Sequence, residues 1–266
     1  MKIAAVQMVS GTSAERNSEA AQRLIGEAAR AGAELVVLPE YFCFMGHGDR
    51  DKTAIAEAPG DGPLQQMLSN TAREHGIWLI GGTLPIRTDD PERVFNANCV
   101  YAPDGSLAVR YDKIHLFKYD GERDHYDEGR TIRAGDVPTS FQAGALKVGL
   151  SVCYDLRFPE LYRSLMNPPC DLISVPAAFT HTTGLAHWEL LLRARAVENQ
   201  CYVIAAAQGG VHENGRRTFG HSMIVDPWGK VLSVLPEGEG VVLAEIDPLL
   251  LAQVREQLPA LAHRRV

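Results

Sequence analysis

The sequence predicts an α/β fold in which mixed sheets are covered by helices. Short β-rich apolar runs alternate along the chain with segments whose apolar residues recur at helical spacing. The number of runs suits two strand-rich layers with helices outside them. No low-complexity linker or short-period repeat interrupts the 266 residues, and the Pro- and Gly-containing stretch 58–63 is too brief to divide them. We therefore expect one domain over residues 1–266.

The first half of the chain opens with a predicted strand at 2–9 and a predicted helix at 12–31. Thr12 and Glu15 have the spacing of a capping box, and Gly32 follows the helix as a terminating glycine does. The other elements expected here are a helix at 62–75 and strands at 34–38, 77–80, 96–101 and 107–111.

The second half begins with a predicted strand at 146–152 that runs directly into Cys153. Three late apolar runs, at 221–225, 231–234 and 241–246, predict a closing antiparallel set. The other elements expected here are helices at 159–166, 184–200 and 248–261 and strands at 172–175 and 201–207.

Composition argues against several classes of function. The formal charge is −7 and the basic residues are scattered, so a nucleic-acid partner is not expected. No apolar run approaches the ~20 residues of a membrane span, and the N-terminal run is too short for a signal peptide. The five cysteines include no C-x-x-C pair and no zinc-type spacing, which favours free thiols in the reducing cytoplasm. We expect neither a metal nor a cofactor.

Three residues with catalytic potential follow predicted strands. Glu40 follows the strand at 34–38, Lys113 the strand at 107–111 and Cys153 the strand at 146–152. Ligand sites in open α/β sheets lie outside the carboxyl ends of the strands. A thiolate is a good nucleophile, a carboxylate can accept the thiol proton, and a cation can stabilise the oxyanion formed from an amide carbonyl. Together they suit amide hydrolysis without histidine or metal.

Each of these residues also has a purely structural interpretation. A cysteine is often simply buried, a glutamate at a strand end can form an ion pair, and a lysine is usually solvated. Ser151 lies in a near match to a serine-hydrolase elbow, but the last glycine of that motif is replaced by Cys153. We expect His115 and His187 to be scaffold residues, although a Cys–His dyad remains open. The remaining cysteines are expected to be structural: Cys43, Cys99, Cys170 and Cys201.

Three segments together resemble the catalytic motifs of the nitrilase-like carbon–nitrogen hydrolases. They are residues 38–40 (LPE), 111–116 (YDKIHL) and 152–160 (VCYDLRFPE), and they occur in the family's order. Each motif is weak alone, whereas three in order are specific. The resemblance extends over nearly the whole chain and implies a four-layer α-β-β-α sandwich that pairs into homodimers or larger homo-oligomers.

The resemblance also implies a role for each matching residue. Glu40 would be the general base, Lys113 the cation that stabilises the oxyanion, and Cys153 the nucleophile that forms a thioester. The backbone N–H of Tyr154 would share the oxyanion site. A second pocket glutamate of the family would correspond to Glu128, in the less distinctive segment 127–130 (DEGR).

Arg157 has two interpretations from the sequence, which are substrate binding and a structural ion pair. Its planar fork matches a carboxylate, so it can bind an acidic substrate. It can equally form an ion pair with Glu160 or another acid, and the structural role is the one we favour from sequence.

Segments in the second half resemble the branch of the family that contains the deaminated glutathione amidases. They are residues 186–196, 200–208, 220–223 and 225–229. This resemblance implies hydrolysis of a small 2-oxo-acid amide to 2-oxoglutarate and cysteinylglycine. An ω-amidase acting on 2-oxoglutaramate, a nitrile or N-carbamoyl hydrolase, and a non-catalytic dimeric binding protein remain alternatives.

Overall fold

A computed structural model describes residues 1–120 and 125–265 of the chain. Two sheets pack face to face and helices cover their outer faces, so the predicted four-layer α-β-β-α sandwich is confirmed. The helices are α1 Ala14–Arg30, α2 Asp51–Ala54, α3 Pro63–His75, α4 Pro159–Ser164, α5 His181–Asn199 and α6 Pro248–Gln257, with 3-10 turns at Glu128–Arg130 and Cys153–Arg157.

The strands alternate with these helices over most of the chain. They are β1 Lys2–Gln7, β2 Leu35–Val37, β3 Trp78–Ile80, β4 Leu84–Arg87, β5 Val94–Tyr101, β6 Leu107–Asp112, β7 Lys118–Asp120, β8 His125–Asp127, β9 Ser140–Ala143, β10 Leu146–Leu150, β11 Leu172–Ala177, β12 Tyr202–Ala207, β13 Gly209–Val211, β14 Arg217–Phe219, β15 Ser222–Val225, β16 Val231–Leu235 and β17 Gly240–Glu245.

Each of the two large sheets is built around three parallel strands. In the first, β1, β2 and β3 are parallel, and β17, β5, β4 and β6 extend them. In the second, β10, β11 and β12 are parallel and are flanked by β9, β15 and β16. Because β6 is antiparallel to β5 and β5 is antiparallel to β3, β6 runs in the same direction as β2. The carboxyl ends of β2 and β6 therefore lie at one edge.

Burial on both faces explains why the strands read as continuous apolar runs. Along β1, Ile3 and Ala5 join the core between the two sheets, whereas Ala4 and Val6 join the core beneath α1 and α3. Side chains alternate between the faces of a strand, and here both faces are covered.

The two sheets are joined directly where β1 and β12 end. The Met8 N–H donates to the Ala207 carbonyl at 3.3 Å, and the Gly209 N–H donates to the Met8 carbonyl at 2.9 Å. This bridge is parallel, so both sets of parallel strands point toward the same end of the sandwich. Residues that follow β2, β6 and β10 consequently converge there.

The structure corrects some local expectations. Helix α1 is capped by Ser13, whose hydroxyl accepts from the Arg16 N–H, whereas Thr12 donates its hydroxyl to Glu213. Strand β17 does not close a set with β15 and β16, because it pairs with β1 in the opposite sheet. The short strands β4, β7, β8, β9, β13 and β14 were not predicted, since such short segments carry little periodicity. Within the described residues, no helix has the length and apolar character to cross a membrane.

Candidate active site

Glu40 is held at the carboxyl end of β2 as a buried carboxylate with every side-chain oxygen engaged. Its side chain is about 1% exposed. Oε1 accepts hydrogen bonds from Asn96 Nδ2 and Lys113 Nζ, each at 2.9 Å, and Oε2 accepts from the Ala178 N–H at 2.9 Å. Asn96 lies on β5, Lys113 follows β6 and Ala178 follows β11, so donors from both sheets fix this carboxylate.

Lys113 lies between two carboxylates. Its fully buried Nζ donates to Glu40 at 2.9 Å and to Glu128 at 2.7 Å, and its backbone N–H donates to the Asn96 carbonyl. Burial lowers the pKa of Lys113, but the negative charges of Glu128 and Glu40 outweigh burial and hold that pKa above its ordinary value. The residue is therefore a fixed cation at neutral pH.

Glu128 begins the 3-10 turn Glu128–Arg130 and orients Lys113 from the side opposite Glu40. Its Oε2 accepts from Lys113 Nζ and the Phe117 N–H, each at 2.7 Å, and its Oε1 accepts from the Tyr41 hydroxyl at 2.7 Å. Burial raises the pKa of Glu128, but the adjacent ammonium and these hydrogen bonds bring that pKa below its ordinary value. Glu128 is thus ionised together with Lys113.

Cys153 lies at a sharp turn between β10 and the 3-10 turn Cys153–Arg157. Its φ is +48°, in the left-handed region that few non-glycine residues adopt, and 8% of the residue is exposed. Burial raises the pKa of the Cys153 thiol; the charge of Glu40 and a hydrogen bond to it act in the same direction, and Lys113 opposes them. The thiol is therefore protonated at neutral pH and lies beside a carboxylate that can accept its proton.

Asp155 anchors this turn and was not recognised from the sequence. Its Oδ2 accepts from the Val152 N–H at 2.8 Å and the Tyr111 hydroxyl at 2.7 Å, and its Oδ1 accepts from the His115 N–H at 3.0 Å. The His115 ring Nδ1 lies 2.7 Å from the same Oδ1. Asp155 ties the Cys153 turn to the segment that carries Lys113. No sequence signal identified Asp155, because valine at position 152 offers no side-chain acceptor and the three-residue separation alone does not make a capping box.

A small pocket of about 20 Å³ opens onto Cys153, and all six predicted site residues lie in or beside it. Lys113 lies beneath it, bonded to two of its lining carboxylates. Tyr154 is the second residue of its 3-10 turn, where backbone N–H groups lack partners within a helix. The residues that line the pocket and bear on its chemistry are Glu40, Glu128, Cys153, Tyr154, Arg157 and Arg216.

Arg157 faces this pocket and is supported by stacking. Its guanidinium lies 5.5 Å from the Phe179 ring centroid and 5.9 Å from that of Tyr154, and Nη1 is 3.3 Å from His187 Nδ1. The expected alternative, an ion pair with Glu160, is wrong: within the described chain Arg157 forms no ion pair, and its fork points to the pocket instead. Its charge is therefore available to an anionic ligand.

The other nucleophilic side chains have structural surroundings. Ser151 Oγ donates to the Ser174 carbonyl at 2.8 Å and lies 2.8 Å from the Tyr162 hydroxyl. Burial raises the pKa of Cys43 and Cys99 to about 12. The thiols away from the pocket that contains Cys153 are all buried: Cys43, Cys99, Cys170 and Cys201.

Two cations near the pocket were missed by sequence reasoning. Lys52 lies on α2 and Arg216 precedes β14, so neither follows a strand that ends at the catalytic edge. No motif or spacing identified them, because loops from distant parts of the chain bring them together. Among residues 1–120 and 125–265, no group of three or more His, Cys, Asp or Glu side chains is arranged to hold a metal ion.

Comparisons with known proteins show the family to which the chain belongs. The family model described as carbon-nitrogen hydrolase matches residues 2–256. A deaminated glutathione amidase of Synechocystis sp. (strain PCC 6803 / GT-S) is 42% identical over 268 residues, which cover 98% of this chain and 97% of that protein. An omega-amidase of Xenopus laevis is 41% identical over 267 residues, covering 99% of this chain and 95% of that protein.

A solved structure shares the same architecture. Nit3 of Saccharomyces cerevisiae, a member of branch 10 of the nitrilase superfamily, superposes with a TM-score of 0.88 at 32% identity. The superposition covers 97% of this chain and 94% of that one. The fold is therefore shared along almost the full length of both chains.

Proposed function

Because the chain belongs to the carbon–nitrogen hydrolase family, we propose that it hydrolyses deaminated glutathione to 2-oxoglutarate and cysteinylglycine. The family match and the named relatives support a more general assignment: the protein is a hydrolase of carbon–nitrogen bonds and an amidase of this branch. One observation carries the catalytic part of the proposal. A thiol, a carboxylate and an ammonium group from distant segments meet at one pocket.

In the acylation half-reaction, Glu40 takes the thiol proton as Cys153 sulfur bonds to the amide carbon. The carbonyl oxygen becomes an oxyanion, which Lys113 Nζ and the Tyr154 N–H stabilise. When the tetrahedral intermediate collapses, the carbon–nitrogen bond breaks and the protonated Glu40 gives its proton to the departing amine. The product left on the enzyme is a thioester of Cys153.

Deacylation repeats these steps with water as the nucleophile. Glu40 accepts a proton from water, the hydroxide oxygen bonds to the thioester carbon, and the same donors stabilise the second oxyanion. Collapse breaks the carbon–sulfur bond, releases the acid and returns a proton to the Cys153 thiol. Glu128 keeps Lys113 charged and aimed at the oxyanion throughout, which its 2.7 Å hydrogen bond to Nζ supports.

The pocket suits an acyl group that ends in a carboxylate. Arg157 lies beside Phe179 and Tyr154 and forms no ion pair with the described residues, and a 2-oxo acid places its carboxylate at the end remote from the scissile carbonyl. Arginine can bind such a group through two parallel hydrogen bonds. We assign Arg157 to this contact.

The test is product analysis combined with trapping of the intermediate. Purified protein should release 2-oxoglutarate from deaminated glutathione, and mass spectrometry of the mixture should find the acyl adduct on the Cys153 peptide. The Cys153→Ala variant, in parallel, should give neither product nor adduct. An adduct on the Cys43 peptide would reject Cys153 as the nucleophile.

A second candidate is an ω-amidase, favoured by the 41% identity to the Xenopus laevis enzyme of that name. Its substrate, 2-oxoglutaramate, has the same acyl half but releases ammonia. Rapid turnover of 2-oxoglutaramate with none of deaminated glutathione would assign the protein to this activity.

We place the reaction in the cytoplasm, where reducing conditions keep free thiols available. We also propose a homodimer that covers the outer face of α5. Leu190 and Val197 on that helix are 66% and 49% exposed, and the neighbouring Trp228 is 63% exposed. Exposed apolar patches of this kind mark interaction surfaces. Light scattering should give twice the monomer mass, and Trp228→Glu should halve it.

A further inference from the structure

A second cavity, which we call the outer cleft, adjoins the catalytic pocket. It has a volume of about 370 Å³ and shares Phe117, Glu128 and Arg216 with the pocket. Its other walls are the segments 44–49 and 214–216, together with Tyr41 and Lys52. The mechanism above uses only the inner pocket, so the outer cleft has no assigned role.

Lys52 presents an ammonium group to this cleft with little to neutralise it. Its Nζ donates to the Thr131 hydroxyl at 3.3 Å and lies 5.8 Å from the centroid of the Tyr41 ring. Across residues 1–120 and 125–265 it forms no ion pair. Burial lowers the pKa of Lys52, and the negative charges of Glu128 and Asp49 offset that effect only in part.

Arg216 brings a second cation to the same cleft. It stacks 5.2 Å from the Tyr126 ring centroid, and its Nη2 donates to the Ala178 carbonyl at 3.3 Å. Its Nε is buried without a hydrogen-bond partner, and within the described chain it too forms no ion pair. Its charge also lowers the pKa of Lys52, so two like charges act on each other.

The acids of the cleft attract Lys52 but form no ion pair with either cation in the described structure. Glu128 is bonded to Lys113, and Asp127 pairs with Lys118 at 3.3 Å. Asp49 attracts Lys52 and raises its pKa, but it lies on the exposed rim and forms no ion pair with it in the described structure. A buried N–H without an acceptor costs free energy unless a ligand satisfies it, and so, to a lesser degree, does a half-buried ammonium without an ion-pair partner.

We infer that the outer cleft binds the amine half of the amide and that Lys52 and Arg216 hold a carboxylate carried by that half. The inference rests on the proposed function and deepens it. Cysteinylglycine ends in a carboxylate, and two extended residues reach at most about 7 Å from the scissile nitrogen. The catalytic pocket and the outer cleft share Phe117, Glu128 and Arg216, so a leaving group that extends past these residues enters the cleft.

This assignment makes Lys52 a residue that determines specificity for the leaving group. Ammonia, released from 2-oxoglutaramate, carries no carboxylate and gains nothing from the outer cleft. Lys52 is the better residue to alter, because Arg216 also bonds the Ala178 carbonyl beside the donor of Glu40. Substitution of Arg216 would therefore disturb the catalytic carboxylate as well.

The test is a thermodynamic cycle in which the Lys52 ammonium, the substrate carboxylate, or both are removed. The probes are deaminated glutathione and the same compound with its C-terminal carboxylate converted to a carboxamide. In the parent enzyme kcat/KM should favour the carboxylate about 10- to 100-fold, the range for a hydrogen bond between charged groups. Lys52→Met should lower this ratio several-fold and leave the part that Arg216 contributes, whereas Lys230→Met, which alters an exposed lysine outside the cleft, should leave the ratio as in the parent.

Each ratio compares two substrates of the same enzyme preparation. A loss of folded enzyme lowers both rates equally and therefore leaves the ratio unchanged. An equal preference for the carboxylate in the parent and in Lys52→Met would overturn the assignment of Lys52 while leaving the proposed function intact. Equal use of both probes by the parent would overturn the cleft assignment in the same way. Turnover of 2-oxoglutaramate with neither dipeptide probe cleaved would reject the proposed function, and the cleft assignment with it.

Discussion

The inner pocket and the outer cleft are neighbours, but their charges are arranged in opposite ways. Beneath the pocket, Lys113 is bonded to both Glu40 and Glu128, and each Glu40 oxygen has a donor. In the cleft, Lys52 and Arg216 have no anionic partner among the described residues. Fixed charges suit a chemical step, because they need no reorganisation as charge develops. Unpaired charges suit recognition, because a ligand lacking the matching group leaves them unsatisfied.

The same contrast explains the state of the nucleophile. Glu40, Lys113 and Glu128 together carry one net negative charge, and Glu40 is the acid nearest Cys153. This environment raises the pKa of the thiol instead of lowering it, which differs from thiols activated by a neighbouring imidazolium. In the proposed mechanism the proton therefore moves to Glu40 as the sulfur attacks.

The largest effect is expected from Cys153→Ala, which removes the nucleophile. We expect kcat to fall about 10⁴-fold or more, as when a covalent nucleophile is deleted. Steady-state release of 2-oxoglutarate measures this loss. Cys99→Ala is the matched control, because its thiol is buried away from the pocket and should leave kcat near the parent value. Unchanged activity in Cys153→Ala would favour a non-catalytic binding protein or another nucleophile.

Lys113→Met tests whether the paired cation serves chemistry, stability or both. We expect a loss of ~10²–10³ in kcat from the missing oxyanion donor. Two buried carboxylates would also lose their counter-ion, which should lower the free energy of unfolding by about 3–5 kcal/mol.

Urea denaturation separates these two roles of Lys113. Adding Glu128→Gln to Lys113→Met should recover part of the stability, since one uncompensated carboxylate is then removed, but none of the rate. Recovery of the rate in the double variant would show that Lys113 acts only by neutralising Glu128.

Glu128→Gln should change the pH profile of kcat/KM. Glu128 is the strongest influence that raises the Lys113 pKa, so its loss lets burial lower that pKa. Lys113 would then lose its proton at a lower pH, and the alkaline limb should move down by about 1–3 pH units. Because the parent Lys113 pKa lies above its ordinary value, kcat/KM measured from pH 6 to pH 10 should stay level at the alkaline end in the parent and decline in Glu128→Gln. A profile as level in the variant as in the parent would mean that Glu128 does not hold Lys113 protonated.

The smallest of these effects is expected from Arg157→Met. Loss of the carboxylate contact should raise KM about 10-fold with a lesser change in kcat. Arg157→Lys should recover only part of the affinity, because lysine lacks the planar fork. If Arg157→Met raised KM equally for an acyl substrate that lacks the terminal carboxylate, the role of Arg157 would be packing against Phe179 and Tyr154.

Most of the architecture could be predicted from the chain alone. The apolar runs of β1, β2, β10, β11 and β12 and the glycines after α1 and α3 mark their elements, because burial and left-handed backbone each demand particular residues. The route of β17 could not be predicted. Its local sequence suits pairing with either sheet, and only the packing of the whole sandwich places it beside β1.

The sequence by itself determined the candidates Glu40, Lys113 and Cys153, because motif order and strand ends are local features of a chain. Only the tertiary structure decided that Glu128 accepts a hydrogen bond from Lys113 and that Asp155 anchors the turn that contains Cys153. It also decided that Arg157 stacks on Phe179 and forms no ion pair with Glu160. The same holds for Lys52 and Arg216, which share a cleft although 164 positions separate them (216 − 52). Electrostatic coupling depends on distance and burial in space, and neither can be read from separation along the chain.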